Sequence, residues 1–210
     1  MPLKDVLKSF IKWMEKVGKV VFIGHNFKNF DFPRLLLAFR SVGLEAKLKE
    51  VCVGGIDSLP MFKKIRPDME KYSQEHIFEK LTKEKYCAHN ALEDVKSLEK
   101  FFNFYSPSPD VYLKFSFTTE WGFENLIHQE KTALNAEILD CLVSGQVMSR
   151  QMVNKMASSG LRFEHLLSVF HSNGKLGLVE LLGERNGDKP RVTSCKKVID
   201  SLYVFLTTCV

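Results

Sequence analysis

The sequence lacks a long apolar run and has few cysteines. No stretch of the 210 residues reaches the roughly 18 consecutive apolar residues that a membrane-spanning helix requires, and the N-terminus has no apolar signal segment. The five cysteines are scattered and form no C-x-x-C pair, which argues against a disulfide framework and against a zinc site. We therefore predict an intracellular protein, nuclear or cytoplasmic, with no membrane partner.

The excess positive charge lies in the first half of the chain. Residues 1–105 contain 19 Lys and Arg against 14 Asp and Glu, whereas residues 106–210 contain 11 of each. A basic surface attracts phosphate backbones, so this distribution favours nucleic acid as a partner. The alternative is a solvated lysine-rich face. The same two interpretations apply to the basic cluster of Lys63, Lys64, Arg66 and Lys71.

The first half alternates helix and strand patterns. Apolar residues recur every three or four positions over residues 3–17, which predicts an amphipathic helix that ends at Gly18. Short β-branched runs predict strands over residues 19–24 and 50–56. Further helices are predicted over 32–42, 58–65 and 73–82, and Asn90 is the expected N-cap of the next helix. This alternation predicts an α/β domain with a mostly parallel sheet.

A stretch rich in proline and serine, residues 106–110, predicts a domain boundary. We place an α/β domain at 1–105, a linker at 106–120 and a small all-α domain at 121–210. The helices predicted for that last domain cover 121–128, 131–143, 149–158, 162–171, 175–183 and 192–207.

Two polar segments stand at predicted junctions between elements. In the first, His25-Asn26 is followed by Phe30-Asp31, so Asp31 begins a helix just after a buried strand. In the second, His89 and Asp94 are five residues apart, at the start of another helix. Ligands of open α/β sheets bind at the carboxyl ends of strands, so Asp31 is expected at such a site.

These segments resemble the second and third motifs of the DEDDh 3′–5′ exonucleases, the DnaQ-like branch of the ribonuclease H-like superfamily. H-N-x-x-x-F-D is similar to the second motif and H-x-A-x-x-D to the third, in the same order and about sixty residues apart. The segment Ile56–Pro60 is similar to one in the TREX-like members. More narrowly, the chain resembles the exonuclease-like C-terminal region of PML proteins, including its helical tail.

The resemblance implies a ribonuclease H-like sheet with helices, N-terminally shortened and followed by a helical domain. It implies hydrolysis of nucleic-acid phosphodiesters at a 3′ end, DNA or RNA, with two Mg²⁺ or Mn²⁺ ions that stabilise the attacking and leaving oxygens. Asp31 and Asp94 would be metal ligands, and His89 would be the general base. The substrate-binding residues implied are Asn26 and Phe30, which would line the pocket, and Phe27 or Phe32, which would contact the terminal nucleotide.

Each candidate residue also has a structural interpretation. Asp31 could cap the helix that it precedes, and Asp94 could be a favourable charge near the positive end of a helix dipole. A lone histidine such as His89 is usually structural. His25 is more typical of a packing residue at the end of a strand, and we do not include it among the site residues.

The first motif of the family, Asp-x-Glu on an early strand, is not found upstream of His25. Two carboxylates should hold a pair of ions poorly, and the corresponding sheet would have an unpaired edge. The alternative hypothesis is therefore a non-catalytic module that binds nucleic acid or protein. A second copy of the chain or another partner chain could supply the missing strands.

Overall fold

The computed structural model describes residues 2–84 and 90–208. The chain divides into two compact units, which are residues 1–126 and residues 127–210. The boundary falls within helix α8 (Thr119–Ile138). We call these the first unit and the second unit.

The first unit begins with an amphipathic helix, as its sequence predicts. Helix α1 (Leu3–Val17) ends at Gly18, whose φ of 102° is readily adopted only by glycine. Leu7, Ile11 and Met14 are its buried residues. The elements of the first unit are α1 (Leu3–Val17), β1 (Val20–Gly24), α2 (Asp31–Ser41), α3 (Glu45–Val51), β2 (Cys52–Asp57), α4 (Ser58–Ile65), α5 (Gln74–Thr82), α6 (Ala91–Tyr105), α7 (Pro109–Lys114), β3 (Ser116–Thr118) and the start of α8 (Thr119–Ile138).

The sheet of the first unit has the order β1-β2-β3. Strands β1 and β2 are parallel, with Gly24 opposite Asp57, so both strands end at the same edge. Strand β3 runs antiparallel to β2, with Phe117 opposite Gly55. The ends of β1 and β2 therefore bring the segment after His25 close to the segment after Asp57.

The predicted ribonuclease H-like α/β fold is wrong. The described residues form twelve helices and one sheet of only three strands, apart from a two-stranded hairpin in the second unit. The sequence predicts a strand that begins at Glu50. Residues Glu45–Val51 instead form helix α3, because alanine, leucine, lysine and glutamate favour helices. The strand signal is thus confined to short runs, and helices dominate the fold. The predicted all-α domain at 121–210 also contains that two-stranded hairpin, so it is not purely helical.

Two apolar clusters hold the first unit together. One contains the buried face of α1 with α2, α3 and the start of α8, and Phe32, Leu36 and Phe39 are fully buried within it. The other joins α4, α5 and α6 through side chains such as Phe62, Ile77 and Phe101. The sheet edge and the starts of α2, α5 and α6 are thereby fixed relative to one another.

The second unit has a single apolar cluster drawn from residues 139–206. Its elements are the end of α8, α9 (Cys141–Ser144), α10 (Arg150–Ser158), α11 (Phe163–Gly183), β4 (Arg185–Asn186), β5 (Lys189–Pro190) and α12 (Lys196–Thr208). Helix α11 is interrupted at Gly174, whose φ of 56° and ψ of −141° are not helical. Ser149 caps α10 by accepting a hydrogen bond from the Met152 N–H.

Within the described part of the chain, no helix is both long enough and apolar enough to cross a membrane.

Candidate functional site

A cleft of about 580 Å³ opens in the first unit beside the carboxyl end of β1. It is bounded by the start of α2, the start of α5 and the first turns of α6. Its lining residues are Ile23, Gly24, His25, Phe27, Phe30, Asp31, Ser73, Gln74, Glu75, Ala91, Asp94, Val95 and Leu98. The cleft therefore brings together Asp31 and Asp94, the two predicted metal ligands.

Asp31 is positioned by a tight turn between β1 and α2. The turn begins at Asn26, whose φ of 58° is a left-handed conformation that asparagine tolerates better than most residues. The Asn26 carbonyl accepts hydrogen bonds from the N–H groups of Asn29 and Phe30, at 3.3 and 3.1 Å. Asp31 follows in the first turn of α2 and is exposed. Its carboxylate thus lies at the positive end of the helix, where the dipole stabilises it.

Asp94 is held near the start of α6 by an N-cap and by α5. The Asn90 side chain accepts hydrogen bonds from the Leu92 and Glu93 N–H groups, which confirms the predicted cap. Gln74 then links the helices, since its Nε2 donates to the Asp94 carbonyl at 2.6 Å and to Ser97 Oγ at 2.7 Å. These contacts fix the backbone of Asp94 and leave its carboxylate half-buried at the cleft.

His25 lies on the wall of the cleft and ties β1 to two other segments. Its Nε2 is 2.6 Å from the Tyr72 carbonyl, which can only accept, so Nε2 carries a proton. Its Nδ1 is 2.8 Å from Ser58 Oγ and accepts from that hydroxyl when the ring is neutral. Burial lowers the pKa of His25, and the hydrogen bond to the Tyr72 carbonyl offsets only part of this effect. The imidazole is therefore neutral at pH 7, in the Nε2–H tautomer.

Asp57 braces the turn from behind. It is 2% exposed, and its two carboxylate oxygens accept from the N–H groups of Leu59 and Lys28 at 3.0 and 3.1 Å. The first bond caps α4, and the second holds the turn that carries Asp31. Lys28 extends over the Trp121 ring, 4.1 Å from its centroid. The segment Ile56–Pro60 thus contributes to the site because the Asp57 side chain holds the backbone of the turn that carries Asp31.

The aromatic residues of the second motif divide between the core and the cleft. Phe32 is fully buried and packs on Phe27 and Phe117, with ring centroids 5.3 and 4.9 Å away. Phe27 is 8% exposed and contributes to the cleft wall. Phe30 is 51% exposed and also lines the cleft. Phe30 is accordingly the aromatic side chain that a bound ligand can reach most easily.

Of the other predicted site residues, Asn26 does not line the cleft. Asn26 supports the turn through its backbone. His89, the predicted general base, lies outside the described residues, which resume at Asn90.

The cleft is acidic. Asp31, Glu75 and Asp94 contribute carboxylates, and the lining residues within the described chain include no lysine or arginine. Such a site attracts cations and repels phosphate unless a cation is present. Among the residues that the structure describes, no group of three or more His, Cys, Asp or Glu side chains is arranged to hold a metal ion.

Several cleft residues are not among the site residues that the sequence predicts. The sequence favours a packing role for His25, and it indicates Ser73, Gln74 and Glu75 only as the start of a helix. The signal for the latter is a helix N-terminus, with Ser73 as the N-cap. Every helix has such a start, so the sequence alone cannot distinguish this one as part of a site.

The match to a known protein family lies within the second unit. Residues 135–208 match the family model of the PML C-terminal domain. The match confirms the PML-like part of the predicted resemblance. It lies entirely outside the segments that resemble the exonuclease motifs, so the PML C-terminal domain match assigns no chemistry to the cleft. The comparison with curated proteins gives no match.

Proposed function

We propose that the first unit is a 3′–5′ exonuclease-type domain of DEDDh lineage that takes the 3′ end of a nucleic acid into this cleft and hydrolyses it with Mg²⁺ or Mn²⁺. The observation that carries the proposal is the convergence of Asp31 and Asp94. They come from two segments about sixty residues apart that resemble consecutive motifs, and both line one cleft.

The donor set suits a hard divalent cation. Mg²⁺ is often held by only one or two protein carboxylates, with waters and substrate phosphate oxygens as its other ligands. Asp31 and Asp94 would provide those carboxylates, and Glu75 lies on the same cleft. The ion would supply positive charge to a phosphate that the acidic lining otherwise repels.

The chain's own residues would orient the nucleic acid. Phe30 offers an exposed ring on which a terminal base can stack, a contact that tolerates any base. The Asp57 hydrogen bond to Lys28 and the Asn26 turn hold Phe30 and Asp31 in place. The Gln74 contacts hold Asp94 at the same cleft.

A second candidate function is a non-catalytic module that binds nucleic acid in the same cleft. One observation favours it: the described residues contain no group of three or more ligand-type side chains arranged around an ion. Hydrolysis by two ions needs more ligands than a single bound ion does. In this candidate, a cation still neutralises the cleft, and the nucleic acid is retained without cleavage.

Degradation of a 3′-labelled single-stranded DNA and RNA, with Mg²⁺ or Mn²⁺, tests the first candidate. We expect stepwise shortening from the 3′ end, reduced at least about 100-fold by Asp94→Asn because the cation loses a ligand. Asp110→Asn is the matched control, since Asp110 is exposed on α7 and does not line the cleft.

Binding measurements on the same substrates distinguish the candidates. Cation-dependent binding without shortening supports the non-catalytic module. A folded protein that neither binds nor shortens DNA or RNA would contradict both.

A further inference from the structure

Arg34 stands beside the exposed ring of Phe30. Its guanidinium carbon lies 3.7 Å from the centroid of the Phe30 ring, and its Nη1 donates to the Phe30 carbonyl at 2.6 Å. Both contacts are to one residue, so the guanidinium and the ring form a single stacked pair. We call this the Phe30–Arg34 pair.

The position of Arg34 is not explained by helix stability. Arg34 is the fourth residue of α2, close to the N-terminal end, where the helix dipole disfavours a cation. Arg34 is exposed, and within the described part of the chain it forms no ion pair. Its contacts instead hold a positive charge against an aromatic ring at the rim of an acidic cleft.

The pair combines two features that a nucleic-acid end requires. Phe30 is 51% exposed, and its ring offers a stacking surface. The guanidinium carries five N–H donors in a planar fork that suits phosphate oxygens, and the Phe30 carbonyl occupies only Nη1. A lysine could supply the charge, but it lacks a planar group that can stack on an aromatic ring.

We infer that Arg34 is a positioning residue for the nucleic acid, which orients the Phe30 ring for the terminal base and contacts the adjacent phosphate. This inference rests on the proposed function of the cleft. It adds a positively charged side chain, the guanidinium of Arg34, apart from Asp31 and Asp94 and next to the ring on which the base would stack.

The salt dependence of binding tests the inference. The affinity of a 5′-fluorescent single-stranded oligonucleotide is measured by anisotropy with Mn²⁺ over a series of salt concentrations. We expect Arg34→Gln to weaken binding about 10-fold and to reduce the slope of log K against log salt by roughly one, because one phosphate contact is lost. Arg34→Lys should keep the slope of the wild type and lose part of the affinity.

Controls separate positioning from folding. Arg40→Gln, on the same helix α2, should leave both the affinity and the slope unchanged. Urea unfolding followed by tryptophan fluorescence checks that each variant is folded, since Trp13 and Trp121 both lie in the first unit.

The outcomes also separate this inference from the proposed function. If the wild-type protein binds the oligonucleotide and Arg34→Gln shows the same slope as the wild type, the role of Arg34 is overturned and the cleft proposal stands. Absence of binding by the folded wild-type protein overturns both. A reduced slope with retained Asp94 dependence supports both.

Discussion

His25 contributes to stability in a pH-dependent way. Its ring is neutral in the folded state because burial lowers its pKa, while the unfolded chain takes up a proton near the ordinary histidine pKa of about 6.5. The unfolded state therefore binds more protons between these two pKa values, and the free energy of unfolding falls as pH drops below about 6.5. Above that pH the contribution of His25 is fully present.

Urea unfolding at pH 7.5 and 5.5, followed by tryptophan fluorescence, measures this effect for the first unit. We expect the wild type to lose more stability than His25→Gln, which keeps a donor for the Tyr72 carbonyl but does not titrate. An equal loss in both proteins would show that other groups cause the pH dependence.

Asp57 supports the candidate site but is not one of the two proposed cation ligands, so its loss should disturb the site indirectly. Asp57→Ala removes the acceptor for two backbone N–H groups, those of Leu59 and Lys28. We expect a loss of about 1–3 kcal/mol in the free energy of unfolding. Glu99→Ala, an exposed change on α6, should stay within about 0.5 kcal/mol. Similar urea midpoints for the two variants would contradict this role of Asp57.

At the scale of elements, the β2–β3 pairing depends on Gly54. A Cβ at this position would lie 1.9 Å from the Phe117 carbonyl oxygen, so any side chain forces the two strands apart. We expect Gly54→Ala to cost at least about 1–3 kcal/mol, measured by urea unfolding. The neighbouring Val53→Ala is the control, because Val53 is 47% exposed. If Gly54→Ala were as stable as Val53→Ala, the close strand approach would be incorrect.

Sequence periodicity predicts the elements whose signals are local. The spacing of Leu7, Ile11 and Met14 indicates α1, and the predicted N-cap Asn90 marks the start of α6. At Gly54, the local pattern indicates only a glycine within a strand, which weakens that strand. The role of Gly54 depends on β3, a three-residue strand more than sixty positions later, which no local pattern reveals.

The candidate site shows the same division between local and distant information. The motif spacing indicates Asp31 and Asp94, and both line the cleft. The contribution of Gln74 depends on the packing of α5 against α6, and the sequence contains no sign of it. The burial of Phe32 likewise follows from its packing on Phe117, which the second motif does not indicate.

At the scale of the whole molecule, the second unit has a core of its own. Leu202 is fully buried in that cluster, and Leu202→Ala should cost the second unit about 2–5 kcal/mol. Hydrogen exchange of the α12 amides measures this loss. Val204→Ala, on the same helix but 61% exposed, should change exchange little. Equal protection in both variants would contradict the assignment of Leu202 to the core.

The charge distribution gives the molecule a basic first half with an acidic cleft within it. Residues 1–105 carry a net charge of +5, the difference between 19 basic and 14 acidic residues, yet the cleft lining contributes three carboxylates. In the proposed function, the basic surface would attract a polyanion at long range, and a cation in the cleft would then be needed to admit its phosphate. Divalent-cation binding is therefore the requirement that both candidate functions share.

Mn²⁺ binding measured by titration calorimetry tests the central claim most directly, that Asp31 and Asp94 act on one cation. The proteins compared are the wild type, Asp31→Asn, Asp94→Asn, the double variant and the control Asp110→Asn. We expect Asp31→Asn and Asp94→Asn each to lose at least about 10-fold in Mn²⁺ affinity. The double variant should bind Mn²⁺ only slightly more weakly than the single variant with the lower affinity. The control should match the wild type. Wild-type Mn²⁺ affinity in both Asp31→Asn and Asp94→Asn would contradict the account.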